Sequence, residues 1–481
     1  MTRWPAIRSD IDILRVLVVG TALCWSVAFV VIALTYQLEL YADGAMFSYA
    51  VAVQDVWAFH WHNISGRLTV YFLCLLPGEI SVGLSGNPRA GIVVYGLLFY
   101  VAPLAGLAGT FAADHSPGRV IFVHACGSTA LLCPLVFGFP TEMWLAHALF
   151  WPTLAVCHDS RRTAAGTALV VLMMATLAFT HEAALVLALS IVVTLAPRGL
   201  RDAAFVRAAV ALVVALAMSA TVKLLLPPDD YYADAFVRAA LHFFDLGIFE
   251  VRVVIVLLSV LVAYGVLLLL LARLSRGRAD FHAATIVLIV LAIYWLRFDD
   301  SIHTSSRYYL RTALVLLTPL FGTSAALGAL SGERRFPVPL RYLKISMAWP
   351  PGGSIRPLAT IFVILTLVHV VETAKFVAGW QHYRGEVAAL AAGNDSDPAL
   401  GDPRFVSSDR VTSNLRQLSW FSTTPYLSAI VADFMPNRLV IDPAGNYFWL
   451  SCTTATENDD AVRSAPKQSR DLVRVYSCLH R

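Results

Sequence analysis

Residues 13–36, ILRVLVVGTALCWSVAFVVIALTY, followed closely by the polar segment Tyr41-Ala42-Asp43-Gly44, decide how this chain folds. The run is 24 residues long. At 1.5 Å per residue such a helix reaches about 36 Å, enough to cross roughly 30 Å of hydrocarbon. Arg3, Arg8 and Arg15 flank it as they would a secretory signal. A signal core, however, spans only about 7–15 residues and ends at a small-residue cleavage site, and none follows here. The run is therefore expected to stay as a first transmembrane helix, with the polar segment meeting the far side of the membrane.

The rest of the chain agrees. Of 481 residues, 58% are hydrophobic and 14% charged, against about 45–50% and about 25% in soluble proteins. Apolar windows fall near 13–36, 68–84, 91–112, 119–137, 142–158, 163–179, 183–196, 205–226, 252–272, 281–296, 309–330 and 356–378. Lys and Arg cluster at Arg161-Arg162, at Arg198, Arg201 and Arg207, at Arg273, Arg276 and Arg278, and at Arg334-Arg335 with Arg341 and Lys344. These loops mark the cytoplasmic side. Crossings counted from a cytoplasmic N-terminus meet this charge pattern only if one segment between Leu68 and Ala113 fails to cross. Leu68 to Leu84, interrupted by Pro77-Gly78-Glu79, is the candidate. The expected fold is an all-α polytopic transmembrane bundle of about eleven helices, residues 1–379, with a first extracytoplasmic loop at 37–67.

From residue 380 to 481 the composition turns polar, which predicts a small soluble α/β domain. Arg438-Leu439-Val440-Ile441 and Tyr447-Phe448-Trp449-Leu450 have strand character around the turn signal Asp442-Pro443-Ala444-Gly445-Asn446. An extracytoplasmic placement would put Cys452 and Cys478 in an oxidising space, where they either pair or remain thiols. The other cysteines, Cys24, Cys74, Cys126, Cys133 and Cys157, sit in apolar runs and read as small hydrophobes.

No Walker loop, dinucleotide-binding glycine turn, paired CxxC or HExxH occurs. The net charge of +4 is dispersed, which argues against a nucleic-acid partner. Chemistry, if present, must use substrates met at the membrane or beyond it. The first loop is the main candidate. Met46, Ala50, Val53 and Trp57 recur at helical spacing, predicting a helix that lies on the membrane interface. Asp43 at its start has two readings: a helix N-cap, or a catalytic base or metal-binding carboxylate. Asp55 is the next carboxylate along. His60 and His62 are two apart without a third ligand at diagnostic spacing, so headgroup-level aromatic and histidine contacts compete with zinc. Arg67 either snorkels or binds an anion. Glu142 and the pair His181-Glu182 end apolar spans on the far side, where ionisable groups suggest function unless solvent covers them. Asp299, His303 and Arg307 join them from a later loop. Asp229-Asp230 and Asp299-Asp300 read as solvated pairs or as holders of a divalent cation, Mg or Mn.

A long first transmembrane helix, an extracytoplasmic loop opening on Asp43, many further spans and a C-terminal soluble domain resemble the GT-C superfamily of membrane glycosyltransferases. That resemblance covers the whole architecture, and its local motif rests on Asp43 alone, since many members carry a second acid where this chain has Gly44. It implies transfer of a sugar from a polyprenyl-phosphate donor to a glycan, lipid or protein acceptor, in a bacterial inner membrane. It also implies Asp43 as the base, with Arg67, His303 and Arg307 for the departing phosphate and Glu142, His181 and Glu182 for sugar or acceptor hydroxyls. A lipid or glycan transporter is the alternative and would place polar residues at mid-membrane. Here the middles of most spans are uniformly Leu, Val and Ala, with Lys223 and Glu372 near span ends. A membrane scaffold presenting its C-terminal domain would leave the loop charges without a role.

Overall fold

The structure, a computed structural model, describes residues 10–54, 56, 67–158, 163–225, 241, 249, 251–274, 278–299, 307–331, 355–393, 405–420 and 423–441. Its helices are α1 (Asp10–Tyr36), α2 (Asp43–Ala52), α3 (Leu68–Ser85), α4 (Pro88–Ala113), α5 (Val120–Val136), α6 (Glu142–His158) and α7 (Ala164–Ala178). There follow α8 (Ala184–Leu195), α9 (Ala203–Leu225), α10 (Arg252–Leu274), α11 (Ala279–Ile293), α12 (Arg307–Ser331), α13 (Arg356–Ala392) and α14 (Thr424–Val431). Among the described residues nine helical stretches are long and apolar enough to cross a membrane. The chain is a helical, multi-pass integral membrane protein.

The main core is built where α1 packs on α4 and α5, α4 on α6, and α5 on α12. It is rich in aromatics: Phe29 stacks on Phe137 at 4.2 Å, and Tyr100 and Trp144 meet at 6.1 Å. In a lipid solvent such packing, rather than water exclusion, holds helices together. A second, smaller core forms where α10 and α11 meet α13, through Val260, Tyr264, Val287, Leu291, Ile364 and Val368.

The segment Leu68–Ser85 does not break at Pro77-Gly78-Glu79. A wider π-helical turn at Tyr71–Leu75 precedes Pro77, relieving the clash that a proline ring makes with the preceding turn. α3 runs alongside α2: Arg67 at its start acts on Asp43, Gly78 and Gly91 both rest on Val51, and Gly83 faces Gln54.

α2 corrects the sequence reading. It was expected on the membrane interface, yet every residue from Gly44 to Ala52 is buried. Its covers come from α3 and α4 and from the C-terminal region: the rings of Tyr426 and Phe434 lie 5.6 and 6.2 Å from Tyr49. Arg89 at the start of α4 pairs with Asp433 of the same region.

α13 has 37 residues, about 55 Å of helix, and runs through residue 379 without interruption. The change to polar composition therefore falls inside a helix that continues beyond membrane thickness. Past it, β1 (Phe405–Ser407) pairs in parallel with β2 (Leu439–Ile441), Phe405 opposite Leu439. α14 supplies the crossover that parallel strands need. This one pair is the sheet found among the described residues; Tyr447–Leu450, Cys452 and Cys478 lie outside them.

Candidate functional site

The site begins at the end of α1. Trp380 Nε1 and Arg384 of α13 each donate to the Tyr36 carbonyl at 3.0 Å, and Arg384 also donates to Gln37 Oε1 at 2.7 Å. These cap the free carbonyl end of α1. A short 3-10 turn, Leu38–Leu40, leads into Tyr41. Its ring sits edge-on to Phe376 at 5.0 Å, Trp380 at 5.4 Å and Phe139 at 6.4 Å.

From Tyr41 the chain turns sharply, the Gly44 N–H donating to the Tyr41 carbonyl at 3.0 Å. Ala42 takes φ 53° and ψ −129°, the first central position of a II′ turn, which favours glycine. Gly44 is required for a different reason: a Cβ there would overlap the Glu39 carbonyl oxygen and the Pro140 ring. The turn fixes Asp43 as the first residue of α2, beside the loop that leads to Glu142.

Asp43 does not cap α2. The N-cap position belongs to Ala42, and the Asp43 carboxylate has no side-chain hydrogen bond or ion pair among the described residues. It is partly buried, and its carboxyl is pushed up from 3.8 to about 6, first by burial, then by the charge of Glu142, against the opposing pull of Arg311 and Arg67. Such a group changes charge close to neutral pH, the property required of a general base.

Opposite it stands a buried ionic set. Arg67 donates to Glu142 Oε1 and lies 3.5 Å from Glu182 Oε2. Lys223 reaches the other oxygen of Glu182, also at 3.5 Å. The side chains of Glu142 and Glu182 are 5% and 9% exposed, so both carboxylates depend on these cations. Beside Glu182, His181 Nδ1 accepts the Ala183 N–H at 3.0 Å. Burial, and secondarily Arg67, lowers His181 to about 4, so the ring is neutral and Nε2 carries its proton. The 3.7 Å approach of His181 to Glu182 is accordingly not an ion pair.

Asp299 belongs to a second group. Its fully buried carboxylate meets Lys375 Nζ at 2.6 Å and Arg252 Nη2 at 2.9 Å, and Arg252 Nε donates to the Tyr294 hydroxyl at 2.6 Å. Trp295 Nε1, 3.4 Å from Glu372 Oε1, extends it into α13. Asp299 was expected as a substrate contact; the structure gives it two cationic partners of its own.

Of the remaining sequence candidates, Asp55, His60 and His303 lie outside the described residues, and for Arg307 the backbone alone, at the start of α12, is described. The sequence reading missed Arg311 and Glu39. Arg311 sits one helical turn after Arg307, the spacing that puts two residues on one face, and that was its available signal. Glu39 was hidden between two leucines. Among the described residues no group of three or more His, Cys, Asp or Glu is placed to hold a metal ion. No family model, no curated protein and no solved structure matches this chain.

Proposed function

We propose that the chain is an integral membrane glycosyltransferase that moves a sugar from a polyprenyl-phosphate donor to a glycan, lipid or protein acceptor on the extracytoplasmic face. The observation that carries this reading is Asp43: a carboxylate raised to about 6, held on a strained turn and unengaged by hydrogen bonds among the described residues, facing a set of cations at one end of an apolar bundle. Asp43 would take the proton from the acceptor hydroxyl as it attacks the anomeric carbon. The bond from that carbon to the donor phosphate breaks, and the lipid phosphate leaves with the electron pair. Arg67, Arg311 and the His181 Nε2–H are the groups suited to hold the leaving phosphate.

Depth supports a lipid-borne substrate. α7 and α8, with 15 and 12 residues, rise only about 22 and 18 Å, less than the roughly 30 Å of hydrocarbon. Helices this short would leave the turn carrying His181 and Glu182 below the outer edge of the hydrocarbon, where a substrate carried by a lipid reaches it more directly than one dissolved in water. We also infer eleven crossings, α1 and α4 to α13, with α3 lying along α2 at the outer end, a cytoplasmic N-terminus and an extracytoplasmic C-terminal region.

The test is sugar transfer by membranes containing the full chain, with a panel of radiolabelled polyprenyl-phosphate sugars, comparing wild type with Asp43→Asn. Transfer should fall by more than about 100-fold, and the wild-type rate at limiting substrate should rise with pH through about 6, since a base works only after losing its proton. Full activity of Asp43→Asn would remove Asp43 from the chemistry.

A further inference from the structure

The Glu39 carboxyl has no part in the ionic set around Arg67, yet among the described residues it is buried more deeply than most charged groups. Glu39 is 2% exposed, and its Oε2 is buried without a hydrogen-bond partner among the described residues. A carboxylate stranded in this way is costly, whereas the neutral acid is not. α4 makes room for it by placing glycine at position 96. A Cβ there would stand 3.0 Å from Glu39 Cβ, 3.2 Å from Cγ and 3.3 Å from Cδ. The main chain of the same residue supports the turn that follows: its carbonyl accepts the Ser48 hydroxyl at 3.2 Å and fills the space that a Cβ on Gly44 would need. Glu39 therefore grips α4 with its side chain and the start of α2 with its backbone, four residues before Asp43.

We propose that Glu39 is a positioning residue for Asp43: its neutral carboxyl seats the Leu38–Gly44 segment in the slot at Gly96, and a charge on that carboxyl unseats the segment and displaces Asp43. The orphaned Oε2 is the reason. A charged carboxylate must find water or a cation, and its route to either is to leave the slot, taking the 3-10 turn with it. Burial pushes this carboxyl from 4.5 to about 8, with backbone hydrogen bonding and then the Arg384 guanidinium of α13 pulling the other way. Arg384 is the charged side chain that acts on it; α2 presents Ser48 to it and α4 presents Gly96.

Because the folded carboxyl holds a proton that the unfolded one releases near 4.5, its stabilising effect is complete below that pH and is lost as pH climbs to about 8. Across that interval the folding equilibrium falls by up to about tenfold per pH unit. Asp43 acts in the same direction but finishes near 6, and His181 acts oppositely and finishes at its ordinary 6.5. The interval from about pH 7 to pH 8 thus isolates Glu39.

The experiment is hydrogen exchange of peptides covering residues 38–52 in the full-length protein in detergent, at about pH 6.5 and about pH 8.5, corrected for intrinsic exchange. Wild type should lose roughly tenfold or more of its protection at the higher pH, while Glu39→Gln, neutral at both, should keep it. Unchanged wild-type protection, or an equal loss in Glu39→Gln, overturns the proposal. Should Glu39→Gln not fold, Gly96→Ala decides: filling the slot should lower protection at both pH values, and wild-type behaviour overturns the proposal. The inference rests on the glycosyltransferase reading only for what Asp43 does. Exchange needs no substrate, so its failure would leave that reading standing, and an active Asp43→Asn would leave the exchange result standing.

Discussion

At Ala42 the backbone adopts a conformation that L residues rarely take, immediately before the carboxylate proposed as the base. A residue in such a region costs about 1–3 kcal/mol and persists where surrounding structure over-determines it. Here Tyr41, caged by three aromatic rings, and Gly44, wedged on Glu39 and Pro140, are those constraints. Ala42→Gly should therefore raise the stability of the detergent-solubilised protein by about 1 kcal/mol. Gly44→Ala, forced into a carbonyl oxygen and a proline ring, should lower it by about 1–3 kcal/mol or more. Thermal melting of the two variants checks both signs, and a destabilised Ala42→Gly would mean that the turn is not strained. The sequence exposed Asp43 because an acid opening a polar loop after an apolar run is conspicuous. It did not expose the strain, since Ala42 carries no sign that its φ is positive.

The ionic set joins α3, α6, α8 and α9 through side chains that no single helix explains. Glu142, His181 and Glu182 were readable because each interrupts an apolar run at its end. Their partner was not, because Arg67 and Glu142 are 75 residues apart and no local pattern encodes that pairing. Removing Arg67 leaves two buried carboxylates short of a cation, and breaking a buried pair costs about 3–5 kcal/mol. Arg67→Met should lower the melting temperature sharply, whereas Arg67→Met with Glu142→Gln should recover part of the loss, because the stranded charge is gone. Arg67→Lys should fall between, a single ammonium being unable to serve both carboxylates in the guanidinium geometry. A cost below about 1 kcal/mol for Arg67→Met would mean that water reaches the set freely. α2 makes the same point about burial. Its sequence is apolar almost all round, Asp43 and Ser48 apart, and this is the mark of an enclosed helix rather than an interfacial one. What encloses it, however, includes Tyr426 and Phe434, almost 400 positions away in the chain.

For the whole molecule, length and placement give different answers about α3. By length and composition it is one of the nine stretches fit to cross. By placement it begins beside Asp43, passes Val51 with Gly78, and is followed by Arg89, which pairs with Asp433 over α2. A crossing helix cannot keep both of its ends with one ten-residue partner. α4 does leave: the loop after it brings Gly118 beside α1's start, where a Cβ on that glycine would stand 3.2 Å from the Arg15 guanidinium, on the side that the basic clusters predict to be cytoplasmic. The charge pattern asks for the same thing, one segment in this region that stays out, whereas the unbroken helix through Pro77 had no sign in the sequence. The positions that separate the two topologies are Asn87 and His115, both exposed. With the native cysteines replaced by serine, Asn87→Cys should react with a membrane-impermeant maleimide added to intact cells, and His115→Cys only after permeabilisation. If α3 crossed instead, the two would exchange behaviour. Arg67 and Glu142 would then lie on opposite faces of the bilayer, and the site could not exist as a single set of charges.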